Sequence, residues 1–447
     1  MKALILSTLV FVGVMGGTDA RILREGEPDV VRYFDQETLD NLRSGLLSRM
    51  LGTRRNEDAG IVEATQWPPA HITSSLGQVS GVAVDSHGLV YIFHRGATIW
   101  DAQSFNMDNV YNHPDKFIDV PTIWVLDPKS GKVLKRWGEN MFLMPHGLYL
   151  DPEDNVWVTD VGLHQVFKFM KNETKPSLVL GEALVPGEDS AHFCKLTLHP
   201  IRKGRQTGWE GVAYHLFSLI RFLMPHGLYL DPEDNVWVTD VGLHQVFKFM
   251  KNETKPSLVL GEALVPGEDS AHFCKTTDVA VLNSGIVFVA DGYCNHRVAV
   301  FNGEGQFLTE IGGADGMLVP HSVTLLEGND TLCVADRENS RILCYATGLS
   351  SNGEYGLGDI KFANADQSLG KVYAIAGHGN RLYGVEMYGN GRPHAGFVTE
   401  VLEDSPIQTF TPKEPFVLPH DIALSPDGSS IYVVDAGSKK KIYKFIA

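Results

Sequence analysis

Four histidines in this chain follow a proline and precede a glycine, serine or aspartate: His146, His226, His321 and His420. Neutral imidazoles from different strands can hold a zinc ion and leave one coordination position open. A hydroxyl or water at that position becomes more acidic. The tripeptides therefore predict a zinc site. The alternative is a structural turn in which each imidazole caps a neighbouring carbonyl.

Two arginines and a tyrosine are expected beside these histidines. The histidines open first strands, whereas Arg95, Tyr293 and Arg337 follow second strands, and both ends lie at the same edge of an antiparallel hairpin. The arginines could clamp a carboxylate, and Tyr293 could be a base if a metal and a guanidinium lower its pKa. The alternatives are a surface ion pair for Arg337 and a rim aromatic for Tyr293.

The stretches that position these residues are pairs of apolar runs joined by a short turn, beginning with 81–85 and 89–93. Further pairs follow at intervals of roughly 45 residues, which is typical of propeller blades and longer than a β-helix rung. Abundant Gly (45 residues) and 10% aromatic residues suit short strands and tight turns. We predict an all-β, six-bladed β-propeller over 76–447, with a histidine on every second blade.

A 54-residue segment of the chain occurs twice. Residues 142–195 recur without a change at 222–275, and the unrelated residues 196–221 separate them as a foreign linker. Identity of this kind indicates a very recent duplication or a gene-assembly error. In a seven-bladed ring the histidines would no longer lie on every second blade. We therefore expect one copy in the ring, favouring the second because it runs directly into the next blade, and the other copy displaced.

The first 75 residues are expected to lie outside the propeller. Residues 1–20 have the charge, short apolar core and small-residue end of a secretory signal peptide, and 21–75 read as a leader or pro-segment. The sequence after residue 20 contains no further apolar run, so no membrane span is predicted. The net charge of −16 disfavours nucleic acid and anionic membranes as partners. We expect a secreted or secretory-lumen protein that is a monomer.

Five cysteines and three sequons fit an oxidising compartment. An odd number of cysteines in a secreted chain requires an explanation, and removing one duplicate leaves four, which favours two local disulfides over free buried thiols. The predicted glycosylation sites are Asn172, Asn252 and Asn329.

Several longer motifs resemble the peptidyl-α-hydroxyglycine α-amidating lyase family, an NHL-repeat propeller family, from about residue 77 to the C-terminus. These motifs are Ile92-Phe-His-Arg-Gly96, Met144-Pro-His-Gly-Leu148, Trp157-Val-Thr-Asp-Val161, His272-Phe-Cys274, Asp291-Gly-Tyr-Cys-Asn295, Cys333-Val-Ala-Asp-Arg-Glu-Asn339 and Pro419-His-Asp421. The resemblance implies cleavage of peptides that end in α-hydroxyglycine, giving a peptide amide and glyoxylate. It also implies a separate peptidylglycine hydroxylating monooxygenase upstream, because no His-His-Met run occurs here.

The same resemblance implies roles for individual residues. Zinc would be bound by His146 or His226 together with His321 and His420, with Tyr293 as base and Arg95 and Arg337 holding the substrate. A structural calcium ion would take the carbonyls of Val82 and of Leu148 or Leu228, and the side chain of Asp421. The implied disulfides are Cys274 (or its duplicate Cys194) to Cys294, and Cys333 to Cys344.

Two other functions remain open from the residues. A calcium-dependent, lactonase-like propeller hydrolase would favour Glu, Asn and Asp around the channel, whereas this chain offers His. A non-catalytic NHL-type binding propeller would need no metal chemistry.

Overall fold

The computed structural model of the chain describes residues 60–186, 221–326, 328, 330–349, 355–364, 369–387, 394–401 and 405–447, together with the backbone of three short N-terminal strands. It has two compact units, Met1–Gly60 and Ile61–Ala447. The first contains an antiparallel sheet of β1 (Lys2–Ile5), β2 (Val10–Val14) and β3 (Ala20–Arg24). The predicted signal peptide and leader lie largely outside the described residues and stay predictions.

The described part of the second unit forms seven four-stranded antiparallel sheets, which we number as blades 1 to 7. The strands of blades 1 to 3 are β5 (Val79–Val84), β6 (Val90–His94), β7 (Ile123–Leu126), β8 (Val133–Trp137), β9 (Pro145–Leu150), β10 (Val156–Asp160), β11 (Gln165–Phe169), β12 (Pro176–Leu180), β13 (Pro225–Leu230), β14 (Val236–Asp240), β15 (Gln245–Phe249) and β16 (Pro256–Leu260).

Blades 4 to 7 follow the same up-and-down order. Their strands are β17 (Thr276–Val281), β18 (Val287–Asp291), β19 (Arg297–Phe301), β20 (Phe307–Ile311), β21 (Pro320–Leu325), β22 (Thr331–Asp336), β23 (Arg341–Ala346), β24 (Ile360–Ala363), β25 (Lys371–His378), β26 (Arg381–Met387), β27 (Ala395–Glu400), β28 (Gln408–Phe410), β29 (Pro419–Leu424), β30 (Ser430–Asp435) and β31 (Lys441–Ile446).

Tight turns join the first two strands of each blade. On blade 1 the Asp85 carboxylate accepts hydrogen bonds from the N–H groups of His87 and Leu89 at 2.9 and 2.8 Å. Gly88 between them has a φ of 83°, which residues with a Cβ rarely adopt. The apolar runs on either side thus pair as a hairpin, as the sequence predicts.

A cluster of buried apolar side chains lies between each pair of consecutive blades, including blades 7 and 1. Trp157 of blade 2 packs in one cluster with Val238 of blade 3. Its duplicate Trp237 packs with Val289 of blade 4. Since truncating such a buried aromatic costs about 3–5 kcal/mol, these interfaces dominate the stability of the ring.

The ring closes with a strand from the start of the second unit. β4 (Val62–Glu63) pairs antiparallel with β31 and completes blade 7. The chain then passes Trp67, whose ring centroid lies 5.1 Å from that of Tyr432, and the short helix α1 (Ala70–Thr73) before it enters blade 1. Closure by strand pairing removes the exposed edge that an open sheet would present.

The prediction of six blades, with one copy of the duplicated segment displaced, is wrong. The first copy forms blade 2 and the second forms blade 3, while Cys194 and linker residues 196–220 lie outside the described residues. Each copy has two apolar faces, and a copy left out of the ring would expose both. The face that blade 2 offers to blade 3 is identical to the face that blade 3 offers to blade 4, so both copies fit. The histidines therefore lie on blades 2, 3, 5 and 7 and do not alternate strictly.

The structure contains the two disulfides that the resemblance implies. Cys333 and Cys344 are directly opposite on β22 and β23, with a Cα–Cα distance of 4.0 Å. Cys274 and Cys294 are 5.3 Å apart and tie the entry of β17 to the loop after β18. Among the described residues we find no helix with the length and apolar composition of a membrane span.

Candidate active site and metal centre

The inner strand of each blade has a β-bulge near its first residues, and the histidines lie there. On blade 3, Pro225 pairs with Asp240, but the register shifts before Leu228. A bulge leaves a residue unpaired and re-aims its side chain. The equivalent positions, in order around the ring, are Ser80, His146, His226, Thr277, His321, Tyr373 and His420.

A buried carboxylate fixes the chain just before six of these seven positions, and on blade 1 the His94 imidazole takes its place. On blade 2 the Asp160 carboxylate accepts hydrogen bonds from the N–H groups of Leu143, Met144, Gly162 and Leu163. Burial raises the pKa of Asp160 to about 6, and these N–H groups oppose the rise. The acids that accept equivalent backbone bonds on blades 3 to 7 are Asp240, Asp291, Asp336, Glu386 and Asp435. The acidic residues that follow the histidines are therefore structural and hold them in place.

The four predicted metal-binding histidines lie together at one end of the channel. The ring centroids of His146 and His226 are 4.5 Å apart. His146 is 5.4 Å from His420, and His226 is 5.7 Å from His321. The structure thus brings together imidazoles from four blades.

Three of these imidazoles are anchored in the same way. Nδ1 of each lies 2.7–2.8 Å from the carbonyl at the equivalent position of the next blade. The pairs are His226 with Thr277, His321 with Tyr373, and His420 with Ser80. Because a carbonyl only accepts, Nδ1 carries the proton and the Nε2 lone pair is left for another partner. No such bond is described between His146 and the residues that the structure covers.

All four imidazoles are neutral at physiological pH. Burial lowers the pKa of His226 to about 4 and that of His420 to about 3. Burial, followed by electrostatic repulsion from His226, lowers the pKa of His146 and of His321 well below the usual range. Neutral imidazoles with Nδ1 held by a carbonyl and Nε2 free are the usual donors to zinc. The chemistry of these donors therefore suits zinc, but no three of the four histidines have ligand nitrogens within 4.8 Å of one another in the described residues.

Tyr293 and Arg337 lie beside His321, as expected. The Tyr293 hydroxyl lies 3.1 Å from Nε2 of His321, to which it donates. The Arg337 guanidinium carbon is 5.2 Å from the ring centroids of both Tyr293 and Tyr373, and its Nε donates to Glu338 at 3.0 Å. Burial raises the pKa of Tyr293, whereas the Arg337 charge opposes the rise. Tyr293 is therefore protonated at neutral pH when the site holds no metal ion.

Arg95 lies on the other side of the cluster, next to the additional histidine. Its Nε donates to the Pro145 carbonyl at 2.9 Å, and its NH1 donates to Gln78 at 3.0 Å. Its guanidinium lies 4.9 Å from the centroid of Trp100, which is 5.5 Å from that of His146. Burial lowers the pKa of Arg95 to about 9, so the side chain remains mostly cationic at neutral pH.

The sequence interpretation missed Gln78, Trp100 and Tyr373. Tyr373 could have been found by alignment of the repeats, because it occupies the histidine position of blade 6. Gln78 and Trp100 have no repeat signal. They are recognisable only from their contacts with Arg95 and His146.

Comparison with known proteins identifies the family of the chain. An NHL repeat model matches residues 142–169, 222–249, 273–301 and 318–345. The chain is 32% identical over 388 residues to "Peptidyl-alpha-hydroxyglycine alpha-amidating lyase 2" of Drosophila melanogaster, covering 85% of this chain and 74% of that protein. The chain belongs to the peptidyl-α-hydroxyglycine α-amidating lyase family. The resemblance found from the motifs is thereby confirmed.

Two further similarities place this lyase family member in context. It is 33% identical to mouse (Mus musculus) "Peptidyl-glycine alpha-amidating monooxygenase" over 87% of its own length but only 32% of that protein, so it spans about a third of that relative. The β-propeller domain of Myceliophteria thermophila Cps50 (Swd1) shares the fold, with a TM-score of 0.54 and 11% identity over 83% of this chain and 97% of that one.

A second layer of polar groups lies one residue further along the inner strands. The Asp421 carboxylate accepts the N–H of Val82 at 3.0 Å, and Asp278 accepts the N–H of Val323 at 2.9 Å. Burial raises the pKa of Asp421 to about 6 and that of Asp278 to about 7. Asp278 was missed, although it follows the histidine position of blade 4 as Asp421 follows that of blade 7.

The predicted calcium-binding carbonyls belong to the same inner strands. Val82 is on β5, Leu148 on β9 and Leu228 on β13. Because both copies lie in the ring, Leu148 and Leu228 are both on inner strands. The Asp421 carboxylate accepts the N–H of Val82. The calcium site stays a prediction.

Another group of possible metal ligands lies at the hairpin turns of blades 1 and 2. Ligand atoms of Asp85, His87 and Asp154 are within 4.8 Å of one another. The Asp154 carboxylate already accepts hydrogen bonds from Ser86 and from Lys171 at 2.8 Å. The contacts described here therefore join the two blades without an ion.

Of the predicted glycosylation sites, Asn172 and Asn252 are exposed, with positive φ angles of 67° and 63°, in the turns before β12 and β16. Asn329 lies outside the described residues. Glycosylation stays a prediction at all three sites.

Proposed function

We propose that this chain cleaves peptidyl-α-hydroxyglycine to a peptide amide and glyoxylate with the help of a bound zinc ion, the second step of C-terminal amidation. The observation that carries the proposal is the cluster of neutral imidazoles with Tyr293 on one side and Arg95 on the other. Family membership favours this reaction over the hydrolase and scaffold alternatives. A zinc ion held by Nε2 atoms of the cluster would acidify the substrate hydroxyl.

Two guanidiniums would hold the carboxylate of the substrate. Arg337 is kept over Tyr293 and Tyr373 by its contacts with both rings, and Arg95 is fixed by Pro145 and Gln78. Both lie at the end of the channel that carries the imidazoles, so the terminal carboxylate would be oriented with its α-carbon beside them.

Tyr293 would accept the hydroxyl proton. In its neutral state the phenol donates to His321. It becomes a base only when positive charge beside it stabilises the phenolate, and Arg337 already acts in that direction. As the hydroxyl proton leaves, the C=O bond of glyoxylate forms and the C–N bond breaks. The amide nitrogen takes up one proton, which balances the reaction.

Other parts of the proposal concern the surroundings of the enzyme. A structural calcium ion would be bound by Asp421 and by carbonyls of Val82 and of Leu148 or Leu228. A separate hydroxylating monooxygenase would supply the substrate, which agrees with the likeness to the monooxygenase relative. The reaction would take place in the secretory pathway or outside the cell, where the two disulfides are stable.

The test is glyoxylate release from a synthetic α-hydroxyglycine peptide, measured with and without a chelator. We expect Tyr293→Phe to lower kcat by about 10²–10⁴-fold, the usual contribution of a general base. Tyr443→Phe is the control, because its buried hydroxyl has no hydrogen-bond partner among the described residues. Well-folded protein that releases no glyoxylate with zinc restored would refute the proposal, and activity with calcium alone would favour the hydrolase alternative.

A further inference from the structure

Tyr373 occupies the histidine position of blade 6, and its ring contacts two groups of the candidate site. We propose that Tyr373 is a positioning residue, whose ring keeps the Arg337 guanidinium directed at the carboxylate of the substrate. This role depends on the proposed function, in which Arg337 binds that carboxylate.

The backbone and the ring of Tyr373 serve different neighbours. Its carbonyl accepts a hydrogen bond from Nδ1 of His321 at 2.7 Å. Its ring centroid is 5.6 Å from that of His321 and 5.2 Å from the guanidinium carbon of Arg337. Ser80 and Thr277, which occupy the same position on blades 1 and 4, have no ring. Replacing the Tyr373 side chain therefore removes the ring and leaves the backbone anchor of His321 in place.

Aromatic rings from two blades hold the Arg337 guanidinium. Arg337 follows the second strand of blade 5, and its guanidinium carbon lies 5.2 Å from the ring centroids of Tyr293 on blade 4 and Tyr373 on blade 6. Both distances fall within the range of about 6 Å in which a ring attracts a cation. Only 14% of the Arg337 side chain is exposed, and this attraction is stronger for a cation that is withdrawn from water. The blades on either side of Arg337 thus fix its position.

A carboxylate of the protein competes for the same guanidinium. Nε of Arg337 donates to Glu338 at 3.0 Å, and Lys371 donates to the other oxygen of Glu338. Although burial raises the pKa of Glu338, the hydrogen bond from Lys371 and the Arg337 charge together lower it, so this carboxyl is ionised at neutral pH. Without the Tyr373 ring, Glu338 would draw the guanidinium away from the channel. With the ring in place, the three charges leave one net positive charge for a substrate anion.

Tyr373 should therefore act on substrate binding more than on the chemical step. A ring that orients the guanidinium strengthens binding of the carboxylate equally before and during the reaction. Losing such uniform binding raises KM and leaves kcat nearly unchanged. Loss of a proton acceptor such as Tyr293 lowers kcat instead.

Binding of an uncleavable peptide tests this role without turnover. A short peptide that ends in glycine lacks the reacting hydroxyl, and its C-terminal amide form also lacks the carboxylate. Calorimetric titration would give the Kd of both peptides for the intact chain and for two variants. We expect Tyr373→Leu to weaken binding of the acid peptide about tenfold and to leave the amide peptide unaffected. Tyr373→Phe, which keeps the ring, should bind the acid peptide within about twofold of the intact chain.

A second substitution identifies the group through which Tyr373 acts. In an Arg337→Met background, Tyr373→Leu should cause no further loss, because the two side chains act as one unit. Tyr355→Leu is the matched control. Tyr355 also lies beside a cation, with Nζ of Lys361 5.9 Å from its ring centroid, but it is 36% exposed, and its loss should change neither Kd.

Turnover of an α-hydroxyglycine peptide provides an independent readout. Tyr373→Leu should raise KM about tenfold with less than about a twofold change in kcat, and Tyr373→Phe should restore KM. The metal content of both variants should equal that of the intact chain, because the carbonyl that anchors His321 remains. Circular dichroism and thermal unfolding establish that each variant is folded, and Tyr373→Met replaces Tyr373→Leu if the leucine variant is not.

The outcomes separate the role of Tyr373 from the lyase reaction. Unchanged binding of the acid peptide in Tyr373→Leu, an equal loss for the acid and amide peptides, or the same loss in Tyr373→Phe would overturn the positioning role and leave the lyase proposal standing. Unchanged binding in Arg337→Met, or no binding of the acid peptide by the intact chain, would refute the carboxylate role of Arg337 itself.

Discussion

Blades 2 and 3 have the same amino-acid sequence and nevertheless differ in their contacts. Inside each blade the structure repeats closely. Asp151 accepts hydrogen bonds from Asn155 and from Trp157, and Asp231 of blade 3 accepts the same two bonds from its own copies of those residues. Bonds that close within a blade are therefore specified by the local sequence.

Contacts that cross to a neighbouring blade do not repeat. Nδ1 of His164 donates to the Leu223 carbonyl at 2.7 Å, whereas Nδ1 of its duplicate His244 accepts the N–H of Lys275 at 2.9 Å. Identical residues thus take opposite protonation states at the same nitrogen. His146 and His226 in the candidate metal centre also differ, because Nδ1 of His226 donates to the Thr277 carbonyl and no such bond is described for His146. The comparison shows that a side chain's chemistry here depends on the blade beside it.

The largest effect is expected from removing one copy. Deletion of residues 142–221 joins blade 1 directly to the second copy, whose face is identical to the one that blade 1 now contacts. We expect a folded, six-bladed ring with a smaller radius of gyration in solution scattering. Because His226, His321, His420 and Tyr293 all remain in the shortened chain, glyoxylate release should continue in it. An aggregated or unfolded product would show that seven blades are required for closure.

Replacing the duplicated tryptophans tests whether both copies are true blades. Trp157 and Trp237 are each 1% exposed and lie at consecutive interfaces. Each change to alanine should lower the free energy of unfolding by about 3–5 kcal/mol, as measured by urea titration. If Trp157→Ala were neutral while Trp237→Ala was not, the first copy would lie outside the ring.

The hairpin aspartates should differ between the copies in a pH-dependent way. Asp154 accepts bonds from Ser86 of blade 1 and from Lys171, and they lower its pKa to about 2 despite the opposing effect of burial. Asp234 bonds to the exposed Lys251, but the blade before it has Pro152 where blade 1 has Ser86, and proline offers no N–H.

At pH 7, Asp154→Asn should therefore destabilise the protein by about 1–2 kcal/mol more than Asp234→Asn. Since the folded pKa lies below the unfolded value near 4, this advantage exists above pH 4 and disappears as pH falls toward 2. Unfolding of both variants at pH 7 and pH 3 gives the comparison. A difference that stays constant over this range would contradict the assignment.

The smallest difference is expected for the duplicated tyrosines. The Tyr229 hydroxyl donates to the Val281 carbonyl at 3.1 Å, whereas no equivalent bond is described for Tyr149 within the covered residues. Tyr229→Phe should cost about 0.5–1.5 kcal/mol and Tyr149→Phe close to nothing. Thermal unfolding of the two variants side by side decides this. Equal losses would mean that the Tyr149 hydroxyl also has a buried partner.

Much of the candidate site could be predicted from the sequence. Paired apolar runs indicated a propeller. Because the first strand of a hairpin starts where the second ends, the sequence also placed Arg95, Tyr293 and Arg337 at the end of the channel that carries the histidines. These inferences succeeded because they depend on strand alternation and on bonds within one blade. Gln78 and Trp100 were missed because no repeat signal marks them and their roles arise from contacts with Arg95 and His146. Asp278 was missed although it occupies the same repeat position as Asp421.

The amino-acid sequence alone determined the type of blade and the residues available for chemistry, since each follows from short-range geometry. Which of the duplicate cysteines pairs with Cys294 was decided by the structure, which joins Cys274 to it. The number of blades and the partner of each duplicated histidine were decided only by the tertiary structure. A blade with two apolar faces can pack against any blade with a similar face. Its own sequence therefore does not determine how many blades close the ring. The closed ring of the tertiary structure fixes the number of blades at seven. It thereby also fixes which imidazoles lie in the channel.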